Sequence, residues 1–236
     1  MKSRNFHGLN LTLIATLILF GATVAEGIEP SNKAEKRVVE AARVVDEIMA
    51  APDKGIPEEL LSNAHCVAVI PSMKQAGFVF GGRYGKGVMT CRHPQGAGWT
   101  GPSTVRLEGG SFGLQIGGSS TDVVLLVMNE RGSEKLMQSK FTLGADASVA
   151  AGPVGRMAQA ETDALMHAKI LAYSRSRGIF AGLTLNGATL RPDNDDNWDL
   201  YGRRVEHAAI LQGNVATPAS GEVLGATLNK YSTREA

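Results

Sequence analysis

The sequence predicts one α+β domain. An extended antiparallel sheet, curled toward a barrel, lies between about Val67 and Leu190, and helices near both termini pack over it. Three observations predict this. Ala34, Val38, Ala41, Ala42, Val45, Ile48 and Met49 recur at helical spacing near the N-terminus. Val223, Leu224, Thr227, Leu228 and Tyr231 do the same near the C-terminus. Between them the apolar residues fall into short runs bounded by glycine-rich turns, the mark of strands. The length suits a single domain with a sizeable core.

The chain opens with a short basic stretch containing Lys2 and Arg4. Leu11 to Ala25 is then apolar apart from Thr12, Thr16, Gly21 and Thr23, and it ends in small residues. That order is the pattern of a secretory signal peptide, here residues 1–25, with 26–236 as the mature domain and Glu26 as its first residue. An uncleaved membrane anchor is the alternative, although the apolar run is short for a span of ~20 residues.

Ser31 to about Ala51 reads as an amphipathic helix, with Asn32 and Glu35 placed as a capping box. Pro57 starts a short helix with Leu60 and Leu61 facing inward. Val67–Ile70 is a buried strand ended by Pro71, and Gly77–Arg83 and Gly87–Arg92 are two more. The glycine-rich residues 81–87 read as the connection between those two, presenting Arg83 and Lys86 to solvent. Trp99–Pro102 is a turn with an anchoring aromatic. Val105–Ile116 is further β structure, and Asp122–Met128 a strand buried on both faces. Gly132–Gln138 is a short helix. Glu161–Ala168 has either helix or edge-strand character. Lys169–Ser174 and Ile179–Leu185 form a hairpin about residues 175–178. Ser220 is placed to cap the last helix.

Phe141–Arg156 organises the rest. Between Gly144 and Gly155 it has almost no large side chains, and Gly152-Pro153 punctuates it. A short strand of about six residues fits better than a helix. Small side chains permit close backbone approach, by a neighbouring strand in a crowded core or by a ligand. The packed reading places Ala147, Val149 and Ala151 on a tight strand face.

With Gly77-Phe78-Val79, Trp99–Pro102, Gly110–Gly117 and Tyr173–Gly182, this stretch resembles the SYLF domain family, from about Lys33 to about Tyr231. The resemblance implies a lipid-binding module. Eukaryotic members of that family are linked to phosphoinositides and actin, and it has bacterial secreted members. A secreted chain would not meet a cytoskeleton unless it entered a host cell.

Charge narrows the partners. The full chain has 24 Lys plus Arg and 23 Asp plus Glu; removing Lys2 and Arg4 leaves 22 against 23, a net charge of −1. A nucleic-acid-binding protein normally carries a clear basic excess, so nucleic acid is not an expected partner. Attraction to anionic lipid must then come from local patches.

Several motifs fail on their mechanics. In Gly81–Gly87 no Ser or Thr follows Gly85-Lys86, and the sequence continues as strand rather than helix, which rules against nucleotide loops. Such a hairpin could still meet phosphate oxygens through main-chain N–H groups. Gly109-Gly110-Ser111-Phe112-Gly113 matches the hydrolase pattern, but a strand continues where a helix must begin, so Ser111 is not expected to be a nucleophile. Asp193, Asp195, Asn197 and Asp199 alternate like half a calcium loop. Trp198 replaces its glycine and Arg204 its closing Glu, which leaves a solvated loop as the plain reading. Cys66 and Cys91 sit at opposite ends of a predicted strand pair, where a disulfide and two free thiols stand equally open. His65 and His93 beside them match no zinc spacing. No paired carboxylates, metal cluster or nucleophile–base set stands out, and neither a cofactor nor an enzymatic activity is expected.

The expected function is non-enzymatic binding of membrane phospholipid, with anionic or phosphoinositide-type headgroups, in a periplasmic or secreted protein peripheral to a membrane. The alternative is a structural or protein-binding envelope module with incidental lipid affinity. The candidate contacts are Lys33, Lys36, Arg37 and Arg43 on the first helix and Arg83 and Lys86 beyond it. The resemblance favours that helix, since SYLF membrane binding is associated with the start of the domain.

Overall fold

The structure is a computed structural model that describes residues 30–51, 55–77, 80–96, 98–112, 117–154, 168–176, 179–180 and 185–232. The expected leader, most of the 161–168 connector and the tips of three strand connections lie outside the described residues.

Helix α1 (Lys33–Met49) starts where Asn32 Oδ1 accepts the Glu35 N–H at 2.9 Å. Glu35 in turn takes the Ser31 N–H at 2.6 Å, one residue ahead of the usual capping-box donor. Its buried stripe of Ala34, Val38, Ala41, Ala42, Val44, Val45 and Ile48 lies against the sheet and against α6 (Ala219–Tyr231). Short α2 (Glu58–Asn63) follows, with Leu61 buried and Leu60 half-buried.

The strands are β1 (Cys66–Gly77), β2 (Phe80–Cys91), β3 (Ser103–Phe112), β4 (Gly117–Val127), β5 (Phe141–Thr142), β6 (Val149–Ala151), β7 (Ile170–Ser176), β8 (Ile179–Phe180) and β9 (Thr189–Pro192). Their order in the sheet is β5-β9-β3-β2-β1-β4-β7-β6, with β8 on the far end of β7. All pairings are antiparallel except β6 beside β7, which is parallel. Three short helices complete the described elements: α3 (Glu130–Leu136), α4 (Asn194–Tyr201) and α5 (His207–Leu211).

Two hydrophobic clusters flank the sheet. One joins Val67, Val69, Val124, Leu126, Leu171 and Tyr173 to α1, α2, α4 and α6. The other fills the inside of the curl, with Ala68, Ile70, Leu107, Leu125, Phe141, Leu143 and Leu190. Strands buried on both faces read as continuous apolar runs, as Cys66–Ile70 and Val123–Val127 do.

Several boundaries differ from the sequence expectation. Pro71 does not end β1. The strand bulges between Ile70 and Met73 and continues, with Ser72 at φ +51° and its N–H donated to Asp122 Oδ1 at 2.8 Å. Nor do residues 81–87 form a turn: they lie inside β2, paired with β1 and β3. Two of their glycines, Gly85 and Gly87, answer the bulge. A Cβ at Gly87 would sit 2.1 Å from Val69 O, and one at Gly85 2.5 Å from Ile70 Cγ2.

Phe141–Arg156 is not one six-residue strand. It supplies β5 and β6, the two ends of the sheet, joined through a tight bridge between Leu143 and Ala147. Ala147 is buried, Val149 half-buried and Ala151 exposed, so the packed face expected there is absent. The crowded residue is the next one: a Cβ at Gly152 would meet the Tyr173 ring at 2.1 Å. Ser220 does not cap α6. Pro218 stands at the cap, and Ser220 lies inside the helix with its Oγ buried.

Cys66 and Cys91 are direct cross-strand partners and form a disulfide. Backbone bonds from His65 N to Val127 O and from Arg92 N to His65 O fix the register beside them. Cys66 and Cys91 therefore fall at a non-hydrogen-bonded position, where facing side chains come closest.

Candidate functional site

The site grows out of the junction between α1, β2 and α4. Val88 packs into the α1-side cluster, and side chains alternate along a strand, so Lys86 faces α1 as well. Helix α4 starts directly after β9, its Asp193 side chain accepting the Asp196 N–H at 3.5 Å. This brings two acids beneath Lys86: its Nζ is 2.7 Å from Asp193 Oδ2 and 3.1 Å from Asp196 Oδ2. Asp196 Oδ2 also accepts from Arg37 of α1. Partial burial works against the Lys86 ammonium, but the bonds to Asp193 and Asp196 outweigh it and hold its pKa above the ordinary lysine value.

The alternating acids at 193–199 are thus a helix and not a loop. Asp193 serves Lys86. Asn197 Oδ1 accepts the Thr104 N–H at 2.7 Å, and Asp195 and Asp199 point to solvent. Among the described residues no three His, Cys, Asp or Glu side chains converge as metal ligands.

Four of the six candidate contacts come together. Lys33, Lys36, Arg37 and Lys86 line one shallow depression of about 440 Å³ with Glu40, Pro71 and Ser72. Lys33 and Lys36 have no ion-pair partner among the described residues. Arg43 lies beyond them, held by Glu40 and Glu47 on the helix surface. Its bond to Glu40 comes first among the causes that raise its own pKa, and the same bond lowers that of Glu40.

Arg83 does not join them and is not exposed. Three residues from Lys86 in one strand, it points to the opposite face of the sheet, where it is 9% exposed and burial lowers its pKa. The expectation of a turn presented both cations to solvent; a continuous strand puts them on opposite faces.

The sheet also brings in residues that sequence reading missed. Arg106 on β3 stands directly opposite Lys86, and Arg191 on β9 directly opposite Arg106. Directly opposed residues share a face, so these three cations form a row. Register cannot be read from the sequence alone, and no local pattern marks Arg106 or Arg191.

One further arrangement looks like a nucleophile and base. Ser103 Oγ lies 2.6 Å from His207 Nδ1, while Nε2 is 3.1 Å from Leu136 O. A carbonyl can only accept, so Nε2 carries the proton and Nδ1 accepts from Ser103. Ser103 is fully buried, and burial pushes His207 down to about 4 against the opposing pull of Leu136 O. The pair, with Asn197 and Thr104, ties β3 to α3, α4 and α5.

Comparison of the sequence with known proteins shows its family. The family model described as "Ysc84: Las17-binding protein actin regulator" matches residues 108–231, more than half of the chain. An SH3 domain-containing protein of Schizosaccharomyces pombe is 36% identical over 177 residues, covering 74% of this chain and 41% of its own length. SH3 domain-containing YSC84-like protein 1 of Rattus norvegicus is 33% identical over 210 residues, covering 87% of this chain and 61% of its own. Protein YSC84 of Saccharomyces cerevisiae is 31% identical over 204 residues, covering 85% and 43%. The chain spans about half the length of these relatives. With the family model matched along β3 to α6 and these relatives aligned over most of the chain, the protein belongs to the SYLF (Ysc84) family.

Proposed function

We propose that this chain is a non-enzymatic, extracytoplasmic module that binds anionic membrane phospholipid through the N-terminal turns of α1 and the neighbouring Lys86 of β2. The observation that carries the reading is the shared depression of Lys33, Lys36, Arg37 and Lys86, in which the two lysines are left without acidic partners. Each basic group near an anionic surface contributes up to ~1 kcal/mol, so a few unpaired cations give weak, peripheral attachment. The apolar stripe of α1 is spent on the sheet and α6, which leaves little for insertion. The Cys66–Cys91 disulfide supports a compartment outside the cytoplasm, as does the basic–apolar–small order of residues 1–25.

A second reading is a protein-binding envelope module with incidental lipid affinity. The family description, a Las17-binding actin regulator, and the SH3-containing relatives favour it.

Co-sedimentation with vesicles tests the first reading. Binding should require anionic lipid and weaken with salt, because charges beyond a Debye length of ~8 Å are screened at physiological ionic strength. Lys33→Gln with Lys36→Gln should weaken it severalfold. Equal binding by both proteins would remove α1 from the mechanism. Absence of binding at every headgroup composition would leave the protein-binding reading.

A further inference from the structure

We infer that the row Lys86–Arg106–Arg191 is an anion-reading surface in its own right, and that it takes an oligoanion laid across the strands, of the oligophosphate class. It rests on the α1-side surface of the lipid reading, shares Lys86 with it and extends it across the sheet to Arg106 and Arg191, and it commits to a ligand with several closely spaced negative charges.

Lys86 opposes Arg106 and Arg106 opposes Arg191, on three adjacent strands. Neighbouring strands lie about 4.8 Å apart, so three cationic stems rise from the sheet in a line about 10 Å long. Like charges directly opposed across strands are destabilising.

The local acids do not cancel the row. Asp193 and Asp196 are shared between Lys86 and Arg37, two acids for two bases. Glu108 lies two residues along β3 from Arg106, its Oε1 3.0 Å from Arg106 Nε. Arg191 has no ion-pair partner among the described residues, and its Nε is buried without a hydrogen bond. The line therefore runs from a compensated end at Lys86 to an uncompensated end at Arg191.

The α1 side adds to it. Lys33 and Lys36 share the depression with Lys86, and the N-terminal end of the α1 dipole is there too. A single phosphate would satisfy one cation and leave the opposed neighbours. An anion with charges at successive positions matches the strand spacing and relieves the repulsion along the whole row. Arginine suits this task, since its planar fork bonds phosphate oxygens in pairs.

Calorimetric titration of the purified protein with tripolyphosphate, pyrophosphate and orthophosphate tests the inference. Tripolyphosphate should bind at least about tenfold more tightly than orthophosphate, with strong salt dependence. Arg106→Gln with Arg191→Gln should remove that preference, whereas Arg191→Lys should keep most of it by keeping the charge. Thermal midpoints of the Gln variants should hold or rise, because opposed like charges are removed; this separates lost binding from lost folding. Equal affinity for the three anions, or an unchanged preference in the double variant, would overturn the inference.

Vesicle binding in the presence of tripolyphosphate identifies the source of the anion. Displacement from the vesicles assigns the row to lipid headgroups, and binding of tripolyphosphate without displacement assigns it to a soluble oligophosphate. Oligophosphate binding by a protein that ignores all vesicles would uphold the row and sink the lipid reading. Vesicle binding with no preference among the soluble anions would do the reverse.

Discussion

The Arg92 guanidinium lies over the Trp99 ring, 3.9 Å from its centroid, at the point where two helices end on the sheet. From there it donates to Leu61 O at 3.2 Å, Ser62 O at 3.1 Å and Ala64 O at 3.4 Å around the end of α2. It also donates to Ser232 O at 3.1 Å, just past α6. Helix ends leave carbonyls without partners, and one planar cation serves two of those ends. Arg92→Met should cost ~2–4 kcal/mol in urea unfolding, because charged hydrogen bonds are lost and carbonyls are left unpaired. Arg92→Lys should recover only part, since a point charge cannot span both helix ends. A loss within experimental error for Arg92→Met would show that water replaces the guanidinium freely.

Glycine substitutions should separate close approach from open surface. Gly87→Ala places a methyl 2.1 Å from Val69 O, and Gly152→Ala places one against the Tyr173 ring. Each should destabilise by ~1–3 kcal/mol or more, the usual cost of forcing atoms into a packed region. Ala151→Leu should stay within about 0.5 kcal/mol, as exposed substitutions do. Thermal denaturation of the three variants gives the comparison. A larger loss at Ala151 than at Gly152 would contradict the described packing.

Sequence reading found the helices at the two ends and the apolar strands, because their periodicity or continuity is local. It misread residues 81–87 for a definite reason. Glycine serves both turns and close approaches, and only the bulge at Ile70–Met73 in the neighbouring strand decides between them. It found Lys33, Lys36, Arg37 and Lys86 as cations but put Arg83 among them, since a turn and a strand point the same residues differently. The acids of Asp193–Asp199 showed their alternation without showing the helix, in which Asp196, Asn197 and Leu200 turn inward next to the buried Asp193 cap. Pairing of Cys66 with Cys91 needed a register that no single sequence displays.

Acid should weaken the fold through His207. Its pKa is about 4 in the folded protein against an ordinary 6.5, so the folded state refuses a proton that the unfolded chain accepts. The stability this represents is complete above pH 6.5 and is lost as pH falls toward 4, amounting to about 3 kcal/mol. Carboxylates titrate in part of the same range, so the informative quantity is the gap between wild type and His207→Gln. That gap in urea-unfolding free energy should shrink between pH 7 and pH 4.5. A constant gap would place the His207 proton elsewhere.

Reducing the Cys66–Cys91 bond should lower stability without abolishing the fold. The two residues are 25 apart, a loop for which chain-entropy arguments give about 3 kcal/mol. Thermal midpoints with and without reductant measure it. Protein isolated under non-reducing conditions should resist thiol alkylation until reduced. Ready alkylation of native protein would count against both the bond and an oxidising compartment.

The short strands β5 and β6 occupy opposite ends of the sheet, yet they are consecutive in the chain and meet through the Leu143–Ala147 bridge. Gly144 donates its N–H to Ala147 O at 2.9 Å within that bridge. A long open sheet would offer a row of unpaired peptide groups at each side, a template on which another molecule could extend it. Here each terminal strand is only two or three residues long and is tethered to the other, so a second chain finds hardly any ladder to join. The small residues of Phe141–Arg156 thereby act against polymerisation. A longer, flatter edge here would let copies of this chain assemble edge to edge into fibres.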